Sequence, residues 1–267
     1  MERAVSDLVR RTLQEDVGSG DITSAILPPR RVVGTFLAKT DLVLCGLDVA
    51  REVFRQTGAT TSFSKRDGAR ISAGTRFGMV RGPAVAVLSG ERVALNFLQR
   101  LSGIATLTRS FVDRAKPAEI FDTRKTTPGL RVLEKYAVRC GGGRNHRMGL
   151  YDQILIKDNH LEAIDEERLR EILPDLPKPV EIEAATVEQA KFFASLPVDI
   201  ILLDNFSLAG LRRAVREVRA IHPGVILEAS GGVNLRTVRA IGRTGVDRIS
   251  VGAITHSAPA ADISLDL

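Results

Sequence analysis

From about residue 118 onward, short apolar runs typical of strands alternate with amphipathic segments typical of helices. The strand-like runs are AEIF, QILI, PVEIE, VDIILLD, GVILEAS and VDRISVGA, and segments such as TVEQAKFFASL and SLAGLRRAVREVRAI lie between them. The later strands are spaced by roughly 20–25 residues, the repeat of a βα unit with parallel strands. Six strands in ~150 residues predict a compact or incomplete α/β barrel, smaller than the usual form of about 250 residues; a doubly wound sheet is the alternative.

The amino-terminal part of the chain carries a different pattern. RVVGTFLAKTDLVLCG and ARISAGTRFGMVRG alternate apolar with polar residues and contain glycine turns, as antiparallel strands do. The stretch SGERVALNFLQRLSGIATLTRSFVDRA repeats apolar residues at helical spacing and indicates a long connecting helix. The predicted fold class is therefore α/β, with an N-terminal α+β sandwich domain over residues 1–104 followed by an incomplete α/β barrel over residues 105–267.

Length and composition indicate a globular protein, because 267 residues with 44% hydrophobic content can bury a sizeable core. The amino-terminal stretch MERAVSDLVRRTLQEDV lacks the apolar core of a signal peptide, and no run is long enough to span a bilayer. We therefore expect a cytoplasmic protein with no membrane partner. The two cysteines, Cys45 and Cys140, lie outside any CxxC or His-Cys spacing, so we expect packed thiols rather than a disulfide framework or a zinc site.

The charge balance points to an anionic partner, because the net charge is +6 and the sequence pI is about 9.7. Nucleic acid, a membrane surface and a small polyanion all satisfy this condition. Aromatic residues make up only 4% of the chain, with no Trp, whereas proteins that bind single strands use aromatic stacking platforms. The basic residues are also scattered rather than gathered in one tail. These features favour a small anion over nucleic acid.

Polar and charged residues follow every predicted strand of the second region. In parallel α/β folds the active site lies at the carboxyl ends of the strands, so these positions are the candidates for function. The Ser-Gly-Gly turn has the composition of a phosphate cradle, because glycine lets backbone N–H groups approach an anion. The candidates at the strand ends are Thr123, Arg124, Lys125, Lys157, Glu183, Asp204, Ser230, Gly231, Gly232 and Gly252.

A second polar cluster, GGGRNHRMGL, adds His146 and Arg147. The chain has no Ser-His-Asp order, no setting for a Cys nucleophile, and neither a Walker nor a GxGxxG fingerprint, which disfavours acyl transfer and dinucleotide binding. Several cations, two acids and a phosphate cradle remain. This set suits substrates rich in phosphate and carboxylate, with positive charge developing between the two acids.

The motifs DTRKTTPG, GGGRNHRMGL, ILIKDNH, EIEAAT, LLDNF, EASGGV and SVGAITHS, in this order, resemble the quinolinate phosphoribosyltransferase family. The resemblance covers nearly the whole chain, including EDVGSGDIT and ERVALNFLQRLSGIAT, and no motif position departs from it. It implies an α/β amino-terminal domain and an incomplete α/β barrel. It also implies that quinolinate and phosphoribosyl pyrophosphate react, with Mg²⁺, to give nicotinate mononucleotide, pyrophosphate and carbon dioxide.

The resemblance also implies roles for individual residues. The quinolinate pocket is expected to contain Arg100, Thr123, Arg124, His146 and Arg147. Lys125 and Lys157 fall close to the reacting groups and pyrophosphate, while Glu183 and Asp204 hold the ribose hydroxyls and the metal. The 5′-phosphate is expected to bind Ser230, Gly231, Gly232 and Gly252, with His256 nearby. Arg100 is expected to reach the site of a partner subunit, which implies a homodimer or a multiple of dimers.

Two rival functions remain open from the sequence. The first is the related molybdenum-transport-associated family of pyrophosphorylases, against which the intact RNHR and ILIKDNH segments argue. The second is a non-catalytic binding module, because ARISAGTRFG resembles hairpins of biotinyl and lipoyl carrier domains. No Met-Lys-Met acceptor occurs near Lys39, which disfavours the carrier.

Overall fold

The computed structural model of the protein describes residues 2–267, and the chain divides into two compact units. One unit comprises the residues up to Leu107, Arg139–Gly142 and Ala258–Leu267. The other comprises Thr108–Val138 and Gly143–Ser257. The domain boundary near residue 104 stays a prediction.

The elements are numbered in chain order through the described residues. The helices are α1 (Glu2–Val17), α2 (Leu47–Thr57), α3 (Ala84–Ala115), α4 (Arg131–Cys140), α5 (Asp158–Leu161), α6 (Glu166–Ile172), α7 (Val187–Ala194), α8 (Leu208–Ile221), α9 (Val238–Gly242) and α10 (Ala253–His256). The strands are β1 (Arg31–Ala38), β2 (Leu42–Val43), β3 (Thr60–Phe63), β4 (Arg70–Ile71), β5 (Arg76–Pro83), β6 (Glu119–Phe121), β7 (Ile154–Ile156), β8 (Val180–Ala184), β9 (Ile200–Asp204), β10 (Ile226–Ser230), β11 (Arg248–Ser250) and β12 (Ile263–Asp266). Among these helices, none is both long and apolar enough to cross a membrane.

The first unit contains a four-stranded antiparallel sheet in the order β12-β1-β5-β3. The alternation along β1 turns Phe36 inward, where it is fully buried together with Phe54 of α2 and Phe77 of β5. The Phe36 and Phe77 rings lie 5.6 Å apart, and the Phe36 and Phe54 rings lie 6.0 Å apart. The period-2 pattern of this region therefore predicted antiparallel strands correctly, and an aromatic cluster forms their core.

The first unit also brings the two cysteines together. Cys45 is buried and Cys140 is half-buried, and their sulfur atoms lie within 4.8 Å of each other and of a carboxylate oxygen of Asp67. Asp67 accepts hydrogen bonds from the backbone N–H groups of Gly46 and Leu47 at the start of α2. The neighbouring Cys140 thiol, followed by burial, raises the pKa of Cys45. Cys45 therefore remains a protonated thiol at neutral pH.

The second unit is built on a six-stranded parallel sheet in the order β6-β11-β10-β9-β8-β7. All six strands coincide with the apolar runs predicted from the sequence. The longest pairing joins β9 to β10, from Ile200 opposite Ile226 to Asp204 opposite Ser230. Because the strands are parallel and in register, the residues that follow them emerge at one edge of the sheet.

The helices between these strands begin at the capping residues that the sequence supplies. Thr186 accepts a hydrogen bond from the N–H of Gln189 and forms a capping box with it at the start of α7. Ser207 accepts from the N–H of Gly210 at the start of α8. The strand-to-helix connections are therefore short and ordered where the candidate residues lie.

One glycine allows close backbone packing in the second unit. A Cβ atom at Gly242, the last residue of α9, would lie 1.9 Å from the carbonyl oxygen of Ala115 at the end of α3. A backbone carbonyl cannot rotate away as a side chain can, so α9 or the end of α3 would have to move to relieve such a contact. Only glycine therefore fits at this position.

We expect Gly242→Ala to lower the free energy of unfolding by about 1–3 kcal/mol, because overpacking against backbone forces a shift of α9. Urea denaturation of the full chain measures the effect. Gly224→Ala is the matched control, since a Cβ there would meet only the His222 ring, at 3.8 Å. An unchanged unfolding midpoint for Gly242→Ala would contradict the packing argument.

Candidate active site

A cavity of about 500 Å³ lies at the carboxyl ends of the parallel strands in the second unit. All six strands deliver residues to it, either at their ends or in the loops that follow. The predicted site residues that line it are Thr123, Arg124, Lys125, His146, Arg147, Lys157, Glu183, Asp204, Ser230, Gly231 and Gly232. Further lining residues are Leu155, Asp158, Leu202, Asn205, Glu228 and Ser250. The cavity therefore lies at the strand ends that the sequence pattern indicates, and the roles of its residues stay predictions.

Three predicted residues lie outside this lining. Gly252 adjoins it, because a Cβ there would lie 3.0 Å from Lys125 Cδ and 3.2 Å from His256 Nε2. His256 Nδ1 is 2.6 Å from Ser257 Oγ. Arg100 belongs to the first unit, where it lies on α3 and its Nη1 donates to the carbonyl oxygen of Ala258 at 3.1 Å. Its contact with a partner subunit stays a prediction.

Three cationic side chains, Arg124, Lys125 and Arg147, line the cavity and form its cationic wall. Arg124 and Lys125 follow β6, and Arg147 lies beneath the surface with only 8% of its area exposed. Burial, and then the positive charge of Arg124, lower the pKa of Arg147, while Glu181 opposes this effect. Cations that repel one another across a cavity favour an anion between them.

The segment that carries Arg124 and Lys125 is held by its neighbours on both sides. Thr123 Oγ1 accepts from the N–H of Lys125 at 3.0 Å, and the carbonyl oxygen of Lys125 accepts from Thr255 Oγ1 at 2.7 Å. Further along, Thr127 donates through both its N–H and its hydroxyl to the buried Glu134. The cations therefore stand on a loop of defined shape.

A fully buried ion pair joins β6 to α4. The Asp122 carboxylate accepts hydrogen bonds from Lys135 Nζ, from Asn145 Nδ2 and from the N–H of His146. Lys135 Nζ also donates to the carbonyl oxygen of His146 at 2.8 Å. Burial raises the pKa of Asp122 and lowers that of Lys135, while the attraction between the two charges opposes both effects. This pair fixes the segment that contains His146 and Arg147.

Sequence reasoning missed this pair for two different reasons. Asp122 stands in the DTRKTTPG stretch directly after a strand, so its position was a signal that could have been used. Lys135 lies within a helix where a lysine is ordinarily solvated, and no local pattern marks it as buried.

A second set of buried charges lies on two of the strands that deliver residues to the cavity. Glu181 of β8 and Glu228 of β10 are fully buried, each two residues before a predicted site residue, namely Glu183 and Ser230. Residues two apart on a strand face the same side, so a carboxylate in PVEIE or GVILEAS could have been assigned to the cavity side. Burial, and then the charge of Glu181, raise the pKa of Glu228, while Arg248, His146 and Ser250 lower it.

Two groups of side chains have donor atoms that could bind a metal ion. Glu183 and Asp204, the predicted metal ligands, both line the cavity from adjacent strands, and Glu183 Oε2 lies 3.1 Å from Lys157 Nζ. Ligand atoms of His146, Glu181 and Glu228 lie within 4.8 Å of one another. The guanidinium of Arg248 already lies between the two acids of this second group, with Nη2 3.5 Å from Glu181 Oε2 and Nε against Glu228 Oε2, and offsets part of their charge. The carboxylates at the strand ends are therefore the better oxygen donors for a metal.

The Ser-Gly-Gly turn after β10 requires its glycines. Gly231 has φ +91° and Gly232 has φ +59°, values that disfavour other residues. A Cβ at Gly231 would also lie 2.1 Å from Asn205 Oδ1. Bare backbone therefore lines this part of the cavity, as a bound phosphate group would need.

Nearly the whole chain is similar in sequence to one family of known proteins. Residues 21–102 match the family model described as "Quinolinate phosphoribosyl transferase, N-terminal domain", and residues 104–266 match the model for the C-terminal domain. The chain is 44% identical over 278 residues to a nicotinate-nucleotide pyrophosphorylase [carboxylating] of Mycobacterium leprae, covering 99% of this chain and 97% of that protein. It is 40% identical to a protein of Bacillus subtilis named as a probable enzyme of the same kind, over 97% of this chain and 92% of that protein. The structure of the nicotinate-nucleotide pyrophosphorylase from Francisella tularensis is 38% identical with a TM-score of 0.94, covering 100% of this chain and 96% of that one.

We expect Lys135→Met to lower the free energy of unfolding by about 3–5 kcal/mol, because it leaves the Asp122 carboxylate buried without its counterion. Urea denaturation provides the measurement. Lys191→Met is the control, since Lys191 Nζ pairs with Glu217 at 3.3 Å on the surface and its loss is expected to cost less than about 1 kcal/mol. Equal costs for the two variants would refute a structural role for the buried pair.

Proposed function

This chain belongs to the quinolinate phosphoribosyl transferase family, and from that premise we propose that it transfers the phosphoribosyl group of phosphoribosyl pyrophosphate to quinolinate. The products are nicotinate mononucleotide, pyrophosphate and carbon dioxide, in the biosynthesis of NAD. The observation that carries the proposal is one cavity that combines cations, the strand-end carboxylates of Glu183 and Asp204, and a Ser-Gly-Gly turn. Both substrates are polyanions, which agrees with the net charge of +6.

We further infer that the second unit is an incomplete α/β barrel and that the antiparallel sheet of the first unit belongs to an α+β sandwich. From β7 to β11 each strand lies beside the next in the chain, and β6 lies beside β11 rather than beside β7. This is the cyclic order of a barrel interrupted between β6 and β7, and no reversal of a doubly wound sheet occurs in it. Arg144 pairs with Phe121 beside β6, which supplies part of the missing wall.

Quinolinate is expected to bind the cationic wall. Arg124 and Arg147 offer guanidinium forks that match carboxylates bidentately, and two carboxylates on one ring call for more than one fork. Thr123 and His146 also line the cavity. Burial and the charge of Arg124 both lower the pKa of Arg147, and a bound dianion would supply the opposite charge that offsets them, which supports this assignment.

Lys125 and Lys157 are assigned to the pyrophosphate and the reacting groups. Lys157 Nζ lies 3.1 Å from Glu183 Oε2, and 46% of its side chain is exposed to solvent. The lysine can therefore exchange this partner for a substrate oxygen without losing charge compensation. As the bond from the ribose carbon to pyrophosphate breaks, negative charge grows on the leaving group, and the ammonium groups offset it.

Glu183 and Asp204 are assigned to the ribose hydroxyls and the metal. As fixed negative charges beside the ribose, they would stabilise the positive charge that develops on the sugar ring in the transition state. Their oxygens also suit Mg²⁺, which takes one or two carboxylates together with substrate phosphates and water and would supply further neutralisation of pyrophosphate. The 5′-phosphate is assigned to Ser230, Gly231, Gly232 and Gly252, with His256 near it.

The decarboxylation requires no dedicated group on the protein. The ring nitrogen forms the new bond to the ribose carbon and becomes cationic. The neighbouring carboxylate then leaves as carbon dioxide, its bonding electrons remain on the ring carbon beside that cation, and a solvent proton replaces it. The protein's part is to hold the two substrates in line.

We also propose that the chain works in the cytoplasm as a homodimer or a multiple of dimers, with Arg100 completing the quinolinate pocket of a partner subunit. The proposal rests on the family resemblance of the ERVALNFLQRLSGIAT segment that carries Arg100. The family's activity is also proposed to need both predicted domains, 1–104 and 105–267.

The purified protein is expected to convert quinolinate, phosphoribosyl pyrophosphate and Mg²⁺ into nicotinate mononucleotide and carbon dioxide in equal amounts. Nicotinate lacks one carboxylate and would leave a buried cation unpaired, a loss that reaches about 10⁴-fold in sites built around the missing group. Chromatography of the nucleotide and capture of the gas measure both products. Comparable rates with both acids would contradict the pocket, and consumption of phosphoribosyl pyrophosphate only with another acid would favour the molybdenum-associated relative.

Arg100→Ala is expected to lower turnover strongly without unfolding the protein. Mixed dimers of the Arg100→Ala and Lys157→Ala proteins show whether Arg100 acts in the site of its own subunit or in the site of the partner subunit. If Arg100 acts in the partner's site, each mixed dimer has one complete site out of two. Random mixing makes about half of the dimers mixed, so about a quarter of wild-type activity returns. No recovery from a mixture shown to form mixed dimers would place any role of Arg100 within its own subunit.

A further inference from the structure

Four charged or titratable side chains, His146, Glu181, Glu228 and Arg248, meet in a buried cluster, and two of them, His146 and Glu228, also line the cavity. Arg248 is 12% exposed at its side chain and lies between the two buried acids. Ser250 donates its hydroxyl to Glu228, and the Phe121 ring centroid lies 4.8 Å from the guanidinium carbon of Arg248. The roles assigned above leave Glu181 and Arg248 without a part in the reaction.

Both ring nitrogens of His146 are engaged by the protein. Nδ1 accepts a hydrogen bond from the backbone N–H of Arg147 at 2.8 Å, so the ring proton is on Nε2. Nε2 lies 3.1 Å from Glu181 Oε2 and 3.7 Å from Glu228 Oε1. His146 therefore borders the cavity while its hydrogen-bonding groups face its own chain. A substrate carboxylate would have to displace one of these partners to bind the ring.

A second chain of hydrogen bonds, through Gln153, connects Glu181 to Arg147. Gln153 Nε2 donates to Glu181 Oε2 at 2.9 Å, and the carbonyl oxygen of Gln153 accepts from Arg147 Nη1 at 2.9 Å. One carboxylate thus reaches both ends of Arg147, its backbone through His146 and its guanidinium through Gln153. Arg147 lies in the field of Arg124, which repels it, and the charge of Glu181 counters that repulsion.

We propose that Glu181 is a positioning residue that orients Arg147 toward a carboxylate of the acceptor substrate through His146 and Gln153. In this arrangement His146 is itself a positioning residue rather than a direct substrate ligand. The inference rests on the proposed function, because it identifies how the acceptor pocket of that reaction is held in shape. Supporting groups of this kind fix the geometry of a binding side chain, and a misplacement of about 1 Å can cost about 10²-fold in rate.

Glu181→Gln in the full chain tests the inference by steady-state kinetics with each substrate varied in turn. We expect the KM for quinolinate to rise at least about tenfold while the KM for phosphoribosyl pyrophosphate stays within about twofold. A merely structural role would lower the unfolding midpoint and disturb both KM values alike. Either that result or an unchanged KM for quinolinate in a folded variant would overturn the proposal.

A double-mutant cycle with Arg147→Lys shows whether Glu181 acts through Arg147. We expect Glu181→Gln to add little further loss of quinolinate affinity when Arg147→Lys is already present, because both changes spoil the same contact. Fully additive losses would overturn the proposal. Glu217→Gln is the control, since Glu217 lies on α8 and pairs with Arg213 and Lys191.

Gln153→Leu keeps the test decisive if Glu181→Gln fails to fold. It removes the hydrogen bond to Glu181 without burying an unpaired charge, and it should raise the quinolinate KM selectively. A folded Gln153→Leu variant with wild-type KM values would overturn the route through Gln153. A wild-type protein that makes no product from quinolinate would instead refute the proposed function, so the two failures are distinguishable.

Discussion

The buried attraction between Asp122 and Lys135 holds the two cationic segments of the site in one cavity. Asp122 follows β6, and its carboxylate also binds the segment at Asn145 and His146. On its other side β6 does not pair with β7. The backbone of Arg144 bonds to Ile120 and Asp122 there, and the residues that follow, Asn145 and His146, need a further anchor. The ion pair provides it, and because both charges are out of water, neither can be replaced singly without a large cost.

The distribution of charge in the second unit follows from this arrangement. Arg124, Lys125 and Arg147 line the cavity, and so does Glu228, while Glu181 lies behind the lining with Arg248 between the two acids. The buried acids compensate part of the positive charge and leave the wall attractive to an anion. Arg147 is nearly buried, and the charge of Glu181 helps to stabilise its charged form. Glu181 is not among the residues that line the cavity, so a substrate need not touch it.

The strands and the residues at their ends could be predicted from the sequence, since parallel strands have a short repeat and their carboxyl ends converge. Lys157, Glu183 and Asp204 were predicted in this way, and all three line the cavity. Lys135 and Arg248 were not predicted, because a charge within a helix or strand is ordinarily solvent-facing and only tertiary packing buries it; Glu181 was missed although it faces the same side of its strand as Glu183. The meeting of Cys45 with Cys140 was equally hidden, since it depends on contacts between distant segments.

The pairing of β12 with β1 has a consequence for the order of synthesis. Ala38 of β1 is opposite Ile263 of β12, and Thr35 is opposite Asp266. The ribosome therefore makes β1 long before its outer neighbour, and the entire parallel sheet emerges in between. During that interval β1 presents an unpaired edge, which is a template for wrong pairing with another strand. The antiparallel sheet, although it begins near the amino terminus, is completed after the parallel sheet has been translated.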